Sequence, residues 1–319
     1  MARQPRFEAQ NAVYHVLNRG NYRTDIFADD RTKAAFLQCL GETCLKTGWR
    51  VHAWCVMSTH YHLAITTPQP NLVPGMKWLG GTFALRFNRL RRVQGHLFQG
   101  RYKSLVVEPE AGLGPVCHYI HLNPVRAHLC DVPELARYRW TSLAWLHSRR
   151  ELPPWYDPTP ALQHAGKLDW TKVGVTKYLE YLDWLAENAP AQKEQKFATM
   201  TKGWIIGTRQ FAQGLLEGHA DMAGRKMLRD SDWKACQDKM WLEVLAEVLN
   251  RAQRTEAELR IAPKSAPWKL AVAAQVRSRT TATNQWLSRH LHLGAPREAG
   301  RNLAAWMRRS SQPNTHHTA

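Results

Sequence analysis

Hydrophobic positions along the first half of the chain repeat with two different periods. Ala12–Asn18 is mostly apolar and stops at Arg19-Gly20-Asn21, which predicts a strand ended by a turn. Asp30–Lys46 places Phe36, Leu37, Leu40 and Leu45 on roughly one side of a helix. Trp49–Met57 and Tyr61–Thr66 predict two strands joined near Ser58-Thr59. Val73–Arg92 predicts a second helix, with Met76, Leu79, Phe83, Phe87 and Leu90 at three- and four-residue spacing. Short strands at Leu97–Gln99 and Lys103–Val107, and a shorter helix over about Ala111–Leu122, complete the pattern. The order β-α-β-β-α-β plus a helix is the split βαβ arrangement of an α+β, ferredoxin-like antiparallel sheet with packed helices.

The second half reads differently. Pro153, Pro154, Pro158 and Pro160 predict a linker after a first domain of residues 1–150. Helical patterns follow at Val173–Glu187, Arg209–Glu217 and Asp232–Arg254, a helical middle region of residues 151–259. Residues 260–319 hold short helical patterns at Ala266–Val276, Ala282–His290 and Arg297–Arg308. They predict a basic, helix-turn-helix-like DNA-binding module in a mostly α-helical C-terminal region.

Charge sharpens this division. The 319 residues carry a net charge of +18, distributed as +11 over residues 1–150, −2 over 151–259 and +9 over 260–319. Two basic blocks around a near-neutral middle fit a polyanion touched at two places, and point to nucleic acid. The six cysteines form no C-x-x-C pair, which argues against a zinc knuckle or a disulfide framework and fits a reducing cytoplasm. No apolar run is long enough to span a bilayer, and Met1–Gln10 is too polar for a signal core, so neither membrane insertion nor secretion is expected.

Two stretches carry chemistry. His60-Tyr61-His62 opens a predicted strand, where alternation puts both imidazoles on one face and Tyr61 on the other. Such a pair can chelate one cation. The second H-x-H, His290-Leu291-His292, follows a helical pattern, where positions two apart diverge. In Tyr119-Ile120-His121-Leu122-Asn123-Pro124-Val125-Arg126, Tyr119 and Asn123 share a helix face, and Pro124 ends the helix at Asn123. A phenol is mostly protonated at neutral pH. It attacks a phosphodiester only where a cation, Mg²⁺ or Mn²⁺ by the ligand chemistry, polarises the phosphate.

Tyr14-His15-Val16-x-Asn18-Arg19-Gly20, Val56-Met57-x-x-His60-Tyr61-His62-Leu63, Phe98-Gln99-x-Arg101-Tyr102-Lys103-Ser104 and Tyr119–Ala127 together resemble the successive motifs of the single-tyrosine HUH transposases. The REP-associated tyrosine transposases are the subgroup they resemble most. The resemblance implies a catalytic domain over residues 1–150 that binds folded-back single-stranded DNA. It implies His60, His62 and Asn123 as ligands of a divalent metal and Tyr119 as the nucleophile, forming a 5′-phosphotyrosine link and a free 3′-OH. Arg19, Arg101, Lys103 and Arg126 are expected to contact DNA, being basic and inside or beside the matched motifs. The chain departs from the family at Tyr61, which replaces a small aliphatic residue, and at Gly112, Gly114 and Pro115, which suggest that the tyrosine helix starts late, at Pro115.

Two other readings stay open at this level: a DNA-binding regulator with dormant chemistry, and a phosphoesterase using metal-activated water. The absence of any Asp or Glu between Glu42 and Glu108 counts against the second. Whether the partner DNA is met by a monomer or a homodimer is undecided by the sequence.

Overall fold

A computed structural model gives the architecture of residues 7–148, 151–215, 238, 241–280 and 282–310. The chain forms two compact units, Met1–Met222 and Ala223–Ala319.

The first unit is built on a five-stranded sheet in the order β2-β3-β1-β4-β5. Its strands are β1 (Ala12–Arg19), β2 (Arg50–Val56), β3 (His60–Thr67), β4 (Lys103–Val107) and β5 (Ile205–Ile206). The first four pair antiparallel in the ferredoxin-like order, as the hydrophobic pattern predicts. The sheet is nevertheless mixed, because β5 adds to the β4 edge in parallel. A two-residue strand has no periodicity to read, so its presence is invisible in sequence. The Leu97–Gln99 segment does not form a strand. It contributes only an isolated bridge from Phe98 to Gly20, with Gln99 N–H donating to Arg19 O at 3.0 Å.

Helices cover both faces. α1 (Asp30–Thr47) is capped at one end by Asp29, which accepts from Thr32 N–H, and at the other by Gly48 at φ 72°. With α2 (Leu72–Arg91) it covers one face. There Phe36, Phe83 and Phe27 pack around Tyr61, whose ring lies 4.5 Å from that of Phe36. The opposite face carries α3 (Pro109–His121), the tyrosine helix.

α3 begins at Pro109 and not at Pro115, which lies inside the helix. The two glycines are spent on close packing. A Cβ at Gly114 would lie 2.3 Å from the Cβ of His164, and one at Gly112 would lie 3.1 Å from the carbonyl oxygen of Ile206. At Gly114 a side chain would force His164 away, and at Gly112 it would crowd the neighbours to tighter than ordinary contact.

Short helices α4 (Asn123–Arg126), α5 (Val132–Leu135), α6 (Leu143–Ser148) and α7 (Thr159–His164) follow, then α8 (Lys172–Glu187) and α9 (Ala189–Glu194). Tyr156, Leu162, Tyr178 and Phe197 are buried in the same core as the sheet. Residues 209–215 are helical. The rest of the Arg209–Glu217 and Asp232–Arg254 patterns falls partly outside the described residues; residues 241–251 within the second are helical.

In the second unit, α10 (Glu256–Ile261), α11 (Pro267–Arg279), α12 (Asn284–His290) and α13 (Pro296–Ser310) surround a separate core that includes Trp241, Leu249, Val276, Leu287 and Leu303. No helix among the described residues is long and apolar enough to cross a membrane.

Candidate active site

The antiparallel register of β1 and β3 pairs Arg19 with His60 and Leu17 with His62. His60 and His62 share the α3 face, their ring centroids 5.1 Å apart. Tyr61 points to the other face, as strand alternation requires. Tyr119 projects from α3 onto His62, with their ring centroids 5.8 Å apart. The three residues that the sequence sets 59 positions apart at most are therefore neighbours at one spot.

Sequence reasoning gives His15 no role of its own, yet it organises the site. It lies two residues before Leu17 on β1, and so is the diagonal neighbour of His62 on the same face. It is fully buried, and burial lowers its pKa to about 4, so it is neutral near pH 7. Its Nδ1 lies 2.8 Å from Met200 O, and a carbonyl can only accept, so Nδ1 carries the proton. Its Nε2 must then accept from His62 Nδ1, 2.9 Å away. This relay leaves His62 Nε2 with the lone pair. Both His15 nitrogens are engaged, which removes His15 itself as a ligand.

Burial also keeps the proposed ligands neutral. The His60 pKa falls to about 4, chiefly by burial and further by Arg19, and that of His62 lies well below its ordinary value for the same leading reason. His60 Nδ1 is held 2.9 Å from Thr59 Oγ1. Asn123, 8% exposed, donates its Nδ2 to Tyr119 O at 2.9 Å, which leaves Oδ1 as its acceptor. Among the described residues no group of three or more His, Cys, Asp or Glu could hold a metal ion. His60 and His62 could offer an ion two imidazole nitrogens, and Asn123 has an amide oxygen free to offer. Those donors suit Mn²⁺ or Mg²⁺ and leave the charge of the ion uncancelled.

Tyr119 is 8% exposed, and burial raises its pKa while Arg126 pulls it down. The Arg126 guanidinium sits 5.3 Å from the Tyr119 ring centroid and 5.6 Å from that of Phe197, and donates to Gln192 Oε1 at 3.1 Å. Phe197 packs edge-on against Tyr119 at 5.5 Å. Residues 197–201 thus form a strap over the site, tied by Met200 O to His15 and by Thr201 O to Lys103 Nζ, at 2.6 Å in the second case. Arg19 and Arg101 are exposed. The loop carrying Arg101 meets β1 through Asn18 Nδ2 and Gly100 O at 3.4 Å.

The back of α3 is anchored by a buried polar cluster. His118 Nδ1 and His121 Nδ1 lie 2.9 and 2.8 Å from the hydroxyl of Tyr178 on α8. Their far nitrogens reach His164 Nδ1 at 3.0 Å and Ser142 Oγ at 2.8 Å. Tyr119 therefore stands on a helix whose other side is fixed to α7 and α8.

Residues 8–123 match the family model described as IS200-like transposase. The matched stretch contains His15, His60, His62, Tyr119 and Asn123. This part of the chain is IS200-transposase-like. Among solved structures, a REP-associated tyrosine transposase bound to a REP hairpin aligns at 15% identity and TM-score 0.39, over 48% of this chain and 89% of that one. A putative transposase from Deinococcus radiodurans R1 aligns at 21% identity and TM-score 0.28, over 40% and 92%. No curated protein matches the chain.

Proposed function

We propose that this protein cuts and rejoins single-stranded DNA at a hairpin or palindromic element, with Tyr119 as nucleophile. The observation that carries the reading is the placement of Tyr119 against the paired imidazoles of His60 and His62, 5.8 Å from the nearer ring. His60 and His62 Nε2 and Asn123 Oδ1 would hold the divalent metal, which supplies a positive charge that polarises the scissile phosphate. The Tyr119 phenol oxygen bonds to phosphorus as the bond to the 3′ oxygen breaks. The phenol gives up its proton to water, the departing 3′ oxygen takes one, and the products are a 5′-phosphotyrosine and a free 3′-OH. A second 3′-OH reverses the step and rejoins the strand, with no need for ATP because the phosphodiester energy is kept in the tyrosine ester. Arg126 favours the developing phenolate, and Arg19, Arg101 and Lys103 offer phosphate contacts.

With Mn²⁺ and a labelled single-stranded hairpin oligonucleotide, the protein is expected to form a covalent adduct that survives denaturation. Tyr119→Phe should abolish the adduct and still bind the hairpin. Cleavage that persists in Tyr119→Phe would favour the activated-water phosphoesterase instead; binding without cleavage by the parent chain would favour a regulator.

A further inference from the structure

We infer that α13 of the second unit is a reading helix that enters the major groove of duplex DNA. α13 is sharply two-faced. Ala299 and Leu303 are buried in the unit's core, and Trp306 packs against it. At about 100° per residue, Arg301, Ala304 and Arg308 all fall within about 60° of arc around Arg297, diametrically away from Ala299 and Leu303. All four of these outward residues are exposed. None of the three arginines meets an acidic partner among the described residues; the one acid on the helix, Glu298, is taken by Lys264 at 3.0 Å. From Arg297 to Arg308 the stripe runs about 17 Å.

The support of this helix fits the same use. α12 starts at Thr283, whose side chain accepts from Trp286 N–H at 3.2 Å. A turn over residues 291–295 follows, with His292 at φ 51° and Gly294 at φ 83°, and Ser288 Oγ bonds Gly294 O across it. α12 and α13 pack closely enough that a Cβ at Gly300 would lie 2.5 Å from Asn284 Nδ2. A short helix, a tight turn and a longer helix carrying outward basic residues is the arrangement that presents a helix to a groove about 12 Å wide.

The stripe favours duplex over other polyanions. Single-strand binders stack bases on exposed aromatic rings, and this face has none. Membrane-surface helices bury their apolar side in lipid, whereas here that side is already in the protein core. Duplex binding by α13 has only the choice of DNA as partner in common with the proposed function, and holds whether or not Tyr119 performs chemistry.

The test uses the full chain carrying Tyr119→Phe and a fluorescent 30-base-pair duplex, followed by anisotropy across a salt series. Adding Arg297→Ala, Arg301→Ala and Arg308→Ala should weaken duplex binding at least tenfold. It should also flatten the slope of log K against log salt by about 2 to 3, near 0.9 for each phosphate that an arginine no longer neutralises. Ala304→Glu, a single exposed change inside the stripe, should weaken binding at least fivefold. With Tyr119 intact, the triple variant should still form the adduct at saturating hairpin. Failure of the parent chain to form the adduct would defeat the proposed function and leave duplex binding by α13 standing. Unchanged duplex affinity and slope in both variants, or tighter binding of the parent to phosphatidylserine vesicles than to duplex, would overturn it.

Discussion

The protonation pattern of one imidazole decides whether this site can take a metal ion. His62 can offer Nε2 only while its single ring proton sits on Nδ1, and His15 Nε2 keeps it there by accepting from Nδ1 at 2.9 Å. Replacing His15 by Phe keeps the bulk and removes the acceptor. Loss of such an outer partner typically costs 10–100-fold in metal affinity, so His15→Phe should weaken Mn²⁺ binding by about that factor in titration calorimetry; it should also cost about 1–3 kcal/mol in urea unfolding, because Met200 O and His62 Nδ1–H lose their buried partner. Affinity equal to that of the parent would mean the relay is only packing. The shared face of the proposed ligands His60 and His62 is legible in sequence, because alternation along one strand is a local rule. The role of His15 is not: it depends on the register between two strands, which puts Leu17 opposite His62 and is not written in either strand alone.

For elements, the question is what holds the tyrosine helix in place. α3 contains Gly112, Gly114 and Pro115, which weaken a helix on its own. It is stabilised by contacts instead, through Tyr178, whose hydroxyl meets both His118 and His121. Tyr178→Phe leaves two buried ring nitrogens without a partner and should cost about 2–4 kcal/mol, read by urea unfolding. A loss below about 1 kcal/mol would show that the cluster is not an anchor. The four main strands and three long helices of the first unit are visible in the hydrophobic pattern. β5 and the strap over residues 197–201 are not, because neither has a repeat and both are fixed by partners far along the chain, such as His15 to Met200 across 185 positions. The glycines of α3 suggest a late helix start when only propensity is weighed; in the fold they serve close packing against His164 and Ile206.

Across the whole molecule, the buried histidines set the response to acid. Burial lowers the folded pKa of His15 to about 4 and of His121 to about 3, against 6.5 for the exposed side chain. Between those values the unfolded chain binds more protons than the folded one, so stability rises with pH there. It is fully present above about pH 6.5 and is lost as pH falls toward 4. Each group costs up to about 1.4 kcal/mol per pH unit in that window. Melting temperatures should therefore fall steeply from pH 6.5 to pH 4.5 and hold nearly level from 6.5 to 8; a flat profile down to pH 4.5 would mean these rings are charged or exposed. One basic end of the chain lies in each of the two units, and the proposals give them separate roles: strand chemistry at Tyr119, duplex contact at α13.

Which atom becomes joined to DNA decides the mechanism. Digesting the protein–DNA adduct with trypsin and nuclease and sequencing the peptides by mass spectrometry should place a 5′-linked nucleotide phosphate on Tyr119 alone. A phosphate on another residue, or cut DNA with no nucleotide left on the protein, would contradict the role given to this tyrosine.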